Sequence, residues 1–109
     1  MHKILDRSEF VRLSKTGKKF QDHYFIVVFM PSESECSRLG VTVSKRVGNA
    51  VVRNRVKRLI REWFRINKST ICGRWNVNVI AKKTTKKMTS QHASMSLEKI
   101  FNKLGGLQH

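Results

Sequence analysis

The chain has 109 residues and a mass of 12.7 kDa, the size of one small domain with no room for a second. It carries 23 Lys and Arg against 7 Asp and Glu, a formal net charge of +16. Apolar residues make up 39%, and the longest apolar run, Tyr24 to Met30, is far short of the roughly 20 residues that span a bilayer. These numbers exclude an integral helical membrane protein. A charge this large on a small domain repels itself and calls for a polyanionic partner, with nucleic acid first and an anionic membrane surface second.

Taken in chain order, Asp6 followed by Glu9 forms a capping-box pattern at the start of a helix, with Phe10 and Leu13 on one face and Gly17 at its end. Lys18 to Gln21 reads as a short strand with Phe20 pointing inward. Tyr24 to Met30, aromatic and β-branched, reads as a central strand. A polar connection from Pro31 to Ser37 leads to a strand over Leu39 to Ser44, forming an antiparallel hairpin with the strand before it. A basic turn, Lys45 to Asn49, opens a long helix from Ala50 to Ile66. Val52, Val56, Leu59, Ile60 and Trp63 fall within an arc of about 100° on its wheel, a core-facing stripe. Asn54, Lys57, Arg58, Arg61 and Arg65 lie opposite, flanked by Arg53 and Arg55. A loop over 67–74 precedes a strand from Trp75 to Ala81. After a basic loop, Lys82 to Lys87, Thr89 or Ser90 caps a last helix with Ala93, Leu97, Ile100, Phe101 and Leu104 inward, ended by Gly105 and Gly106. The order is αβββαβα, a two-layer α+β domain over residues 1–109.

The densest signal lies between residues 45 and 65, with eight cations and a single acid, Glu62. Guanidinium groups bind phosphate oxygens through paired hydrogen bonds, and cations one turn apart can follow a phosphate backbone. An ordinary solvated helix face mixes signs. Here only Arg58 has a local acid to pair with, Glu62. Lys82, Lys83, Lys86 and Lys87 form a second basic group, which by itself reads equally well as a solvated turn. Phe10, Phe20, Tyr24, Phe25 and Phe29 supply rings. Exposed rings beside cations stack unpaired bases, but Phe25, Phe29, Trp63, Phe64 and Trp75 are assigned to the core.

Seven scattered acids form no pair of the kind that holds two metals for phosphodiester hydrolysis. Four scattered histidines and two cysteines show no metal-ligand spacing. With no secretory pattern at the N-terminus, Cys36 and Cys72 read as reduced cytosolic thiols. The residues leave open a general RNA-binding or ribosomal module, a stand-alone nuclease and a helix-turn-helix DNA reader. The acid inventory argues against the nuclease, and the strands around the basic helix argue against the DNA reader.

The stretch from Leu39 to Glu62, LGVTVSKRVGNAVVRNRVKRLIRE, closely resembles the protein subunit of bacterial ribonuclease P. Its centre is Arg53, Asn54 and Arg55 followed by Lys57 to Arg61. Weaker similarity covers Asp6 to Gly17, Val79 to Lys83 and Leu97 to Phe101. The resemblance implies three helices and a four-stranded sheet with a left-handed βαβ crossover, the ribosomal protein S5 domain 2-like class, against the usual handedness. It implies a bacterial cytoplasmic accessory subunit of a ribonucleoprotein endoribonuclease whose RNA is the catalyst. The holoenzyme removes the 5′ leader of precursor tRNA with Mg²⁺ held mainly by the RNA. The implied partners are the catalytic RNA and precursor tRNA, with no membrane and no small-molecule substrate. By motif, Arg53, Arg55, Lys57, Arg58, Arg61 and Arg65 meet the RNA subunit. Phe10, Lys45, Arg46, Asn54, Lys82 and Lys83 serve the leader, with Asn54 placed to help order a metal or a leader phosphate. Ser14 and Val28 stand where many relatives carry aromatics. Phe20 or Phe29 is therefore expected to substitute in the leader cleft.

Overall fold

The computed structural model describes residues 3–4, 6–32, 37–67 and 74–106, with only the backbone given for Lys3, Ile4 and Gly106. Cys36 and Cys72 lie outside the described residues, as does most of the loop predicted over 67–74. The helices are α1 (Arg7–Thr16), α2 (Ala50–Asn67) and α3 (Ser90–Gly106). The strands are β1 (Lys3–Ile4), β2 (Lys18–Gln21), β3 (Phe25–Pro31), β4 (Arg38–Thr42) and β5 (Trp75–Ala81), and a 3-10 turn spans Lys83–Lys87. The predicted order holds, with four main strands in a mixed sheet and the two-residue β1 added at one edge. The strand order is β1-β4-β5-β3-β2.

Local chemistry accounts for the element starts. Asp6 accepts from the Glu9 N–H at 2.9 Å, and the Glu9 carboxylate accepts from the Asp6 N–H at 3.0 Å, so both halves of the capping box form. Asn49 caps α2 by accepting from the Val52 N–H at 3.0 Å. Of the two candidate caps for α3, Thr89 does it, accepting from the His92 N–H at 3.1 Å. The described α3 closes on the predicted glycine pair, with Gly106 its last residue.

The predicted hairpin between β3 and β4 does not form. β5 lies between them, antiparallel to β3 with Val27 opposite Val79 and parallel to β4 with Val41 opposite Val79. β3 and β4 are thus about 10 Å apart, two strand spacings, a gap the polar segment after Pro31 is long enough to bridge. The apolar run of β3 is satisfied by having β2 on one side and β5 on the other. β4 and β5, joined through α2, are parallel neighbours.

Side chains alternate across the sheet. Phe25, Val27, Phe29, Val77 and Val79 are buried on one face under α2 and α3, with Val56, Ile60, Phe64, Leu97, Ile100 and Leu104. Phe101 stacks on Trp63 at 5.2 Å and lies 6.0 Å from Phe64, which locks the two helices together. The other face carries Val28, Asn78, Arg38 and Asn76, and α1 covers part of it through buried Leu13. Among the described residues, no helix is long and apolar enough to cross a membrane.

Candidate nucleic-acid interface

α2 presents the site. Its apolar back, Val56, Ile60, Trp63 and Phe64, is buried. Asn54, Lys57, Arg58, Arg61, Glu62 and Arg65 line a shallow groove of about 450 Å³ on the solvent side. Lys57, Arg58 and Arg61 have no carboxylate within ion-pair distance among the described residues. Glu62 does not pair with Arg58 as predicted. It takes Arg65, three residues on, at 2.5 Å. That bond holds the Glu62 carboxyl below its ordinary value and the Arg65 guanidinium above its own. Arg58 is therefore left unpaired, and Arg65 is the cation of the groove that carries an internal counter-charge.

The flanking arginines are tied into the fold. Arg55 donates from Nη2 to the Met88 carbonyl, fastening α2 to the end of the 3-10 turn. Arg53 is half-buried, and its Nε is buried without a hydrogen-bond partner among the described residues. Lys45 and Arg46 are exposed in the turn between β4 and α2, and Asn54 is exposed on the first turns of the helix.

The far ends of β4 and β5 lie side by side, with Thr42 opposite Ile80. Lys45 and Arg46 follow the one and Lys82 and Lys83 follow the other, so the sheet brings both basic pairs to one edge. They are not equivalent. The Lys82 ammonium donates to the Asp22 carbonyl at 2.5 Å, whereas Lys83 is exposed.

The two candidate cleft aromatics are separated by the sheet. Phe10 stands half-buried on α1, and Val28 lies on the face beneath that helix. Phe20 lies on the opposite face. It packs against Phe29 at 4.9 Å, and the Lys103 ammonium sits 5.8 Å over its ring. Phe20 points inward as its spacing predicts, and for that reason neither it nor Phe29 replaces an aromatic beside Phe10.

One long-range contact had no local sequence signal. Arg38 of β4 pairs with Glu9 of α1 at 2.5 Å, so one carboxylate both completes the cap and ties α1 to the sheet. Asp22 organises the turn into β3, accepting from the Tyr24 and Phe25 N–H groups at 2.9 Å each. An Asp three residues before a strand is a recognisable turn signal. Among the described residues, no three His, Cys, Asp or Glu side chains lie together as a metal site.

The sequence matches the family model described as Ribonuclease P over residues 1–105. It is 43% identical over 102 residues to the ribonuclease P protein component of Desulforapulum autotrophicum, covering 94% of this chain and 87% of that protein. Identity to the corresponding protein of Desulfatibacillum aliphaticivorans is 44% over 108 residues, with 98% and 92% covered. The RNase P protein of Staphylococcus aureus superposes with a TM-score of 0.86 at 35% identity over 95% of both chains. That of Thermotoga maritima superposes at 0.84 and 30% identity over the whole of both.

Proposed function

The chain belongs to the ribonuclease P protein family, and from that premise we propose that it binds the catalytic RNA and the 5′ leader of precursor tRNA. In this reading Lys57, Arg58 and Arg61 meet phosphates of the RNA subunit. Arg53, Arg55 and Arg65 support them from the flanks. The leader runs from Phe10 on the α1 side of the sheet to Lys45, Arg46, Asn54 and Lys83 at the far ends of β4 and β5 and the start of α2. Lys82 acts by holding the turn at Asp22 in place. Cleavage is endonucleolytic hydrolysis by the RNA, with Mg²⁺ as an ion of the RNA partner, in the bacterial cytoplasm. No step runs through a protein-held metal.

One observation carries the reading: three consecutive cations of α2, none paired with a carboxylate among the described residues, line an open groove on a helix whose other face is locked into the core. A rigid row of unpaired guanidinium and ammonium groups neutralises a phosphate backbone without first breaking internal ion pairs. The test is multiple-turnover cleavage of precursor tRNA by the catalytic RNA at low Mg²⁺, with and without the protein. Stimulation by the protein is expected, together with tighter binding of precursor than of mature tRNA by the holoenzyme. Cleavage unchanged by the protein would end the proposal. Equal affinity for the two tRNAs would reduce the chain to a general RNA-binding module.

A further inference from the structure

At the edge of the sheet, three segments are knotted together. The turn before β3 presents His23 and Tyr24. The Tyr24 ring stacks on His92 of α3 at 5.8 Å and 19°, and its hydroxyl lies 3.3 Å from His92 Nδ1. His23 meets the same ring edge-on at 4.8 Å and 75°. Tyr24 is half-buried, and both imidazoles are exposed.

The platform is held from below. Asp22 Oδ2 accepts from the Ser96 hydroxyl, while Oδ1 takes the two backbone N–H groups. The Lys82 N–H donates to the Tyr24 carbonyl at 2.8 Å, and Thr84 Oγ1 donates to the His23 carbonyl at 2.6 Å. The Thr84 bond ties the 3-10 turn, with exposed Lys83, Lys86 and Lys87, to the backbone of the segment that carries His23 and Tyr24. Arg55 joins the end of that turn to α2. The patch is thus fastened to the helix that carries the basic groove.

We propose that this patch is a second RNA contact, in which Tyr24 and His92 present a platform for an unpaired base and Lys86 and Lys87 meet the flanking phosphates. The inference rests on the RNA-binding reading above. Rings fixed before the ligand arrives lose little freedom on binding, and stacking on a ring face tolerates any base. The nearby carboxylate of Asp22 is spent on three hydrogen-bond donors, the Ser96 hydroxyl and the Tyr24 and Phe25 N–H groups. An acidic protein would satisfy the lysines but would leave the exposed His92 ring unused, and the tie to α2 favours the same class of ligand on both surfaces.

The test measures affinity of the full chain for a short oligouridylate and for an abasic ribose-phosphate chain of equal length. His92→Ala and Tyr24→Leu should each weaken oligouridylate binding by about fivefold or more, the low end for one stacked base, and leave the abasic chain unchanged. Tyr24→Phe should retain most of the affinity. Substituting Lys86 and Lys87 together by Ala should weaken both ligands and lower the salt slope. The same ring effects in a Phe10→Ala background would separate this patch from the α1 side of the sheet. Should Tyr24→Leu fail to fold, His92→Ala decides, because that side chain is exposed. Unchanged oligouridylate binding, or equal loss on both ligands, overturns the patch. A wild-type chain that binds neither ligand refutes the RNA-binding reading itself.

Discussion

A methyl group added at Gly17 would sit 2.6 Å from the Leu13 carbonyl oxygen and 2.8 Å from Val28 Cγ1. The backbone there is extended, with φ of −72°, so the glycine supplies room for α1 to descend onto β3 and not an unusual dihedral. Gly17→Ala should therefore destabilise the domain by about 1–3 kcal/mol, the usual range for overpacking, measured by urea unfolding. Asp6 behaves differently. The Glu9 N–H and then the Ser8 hydroxyl hold its carboxyl below the ordinary value of 3.8. A group depressed on folding stabilises the fold above its unfolded pKa and loses that contribution as pH falls through its folded pKa. The melting-temperature gap between wild type and Asp6→Ala should be full at neutral pH and should close in acid. A gap that widened in acid would contradict the cap. For Arg58 and Arg61, replacement by Ala should lower the log–log salt slope of RNA-subunit binding by about one per lost phosphate contact.

Within α2, neighbouring residues have opposite duties. Ile60 is buried in the core and Arg61 lines the groove. Ile60→Ala should cost about 2–5 kcal/mol of stability. Arg61→Ala should stay within about 0.5 kcal/mol while weakening RNA binding, so unfolding and affinity measurements on this pair should dissociate. This division was legible in the sequence because stripe and cations repeat with the helix period and need no knowledge of other elements. The capping box at Asp6 was legible for the same reason. The Arg55 bond to Met88 spans 33 residues and the Arg38 bond to Glu9 spans 29, and no local pattern foretells either. Glu62 shows the limit at short range, since partners at spacing three and four compete and rotamer geometry chose Arg65 over Arg58.

At the scale of the molecule, composition announced the polyanionic partner, but only the folded sheet decides which rings face which side. Phe10 and Phe20 are ten residues apart and lie on opposite faces, because the chain passes from α1 into β2 and alternation then sends Phe20 into the core. The insertion of β5 between β3 and β4 was equally hidden, since pairing depends on where α2 returns the chain.

The charge itself makes the last prediction. A net +16 is confined to a body of 37 × 27 × 24 Å. At about 0.01 M salt the Debye length of roughly 30 Å spans that body, and at about 0.15 M it shrinks to roughly 8 Å. Raising salt over this range should raise the melting temperature of the free protein by screening its self-repulsion. The same change should weaken RNA binding steeply, because releasing counterions into a more concentrated salt solution gains less entropy. Bound RNA stabilises the fold by about 2.7 kcal/mol at a hundred times its Kd, a gain that disappears as affinity falls. Melting curves with and without the RNA subunit should thus converge from opposite directions as salt rises. A free protein whose melting temperature is flat or falls with salt would mean that the cations of α2 are neutralised within the fold, leaving no unspent charge to drive assembly.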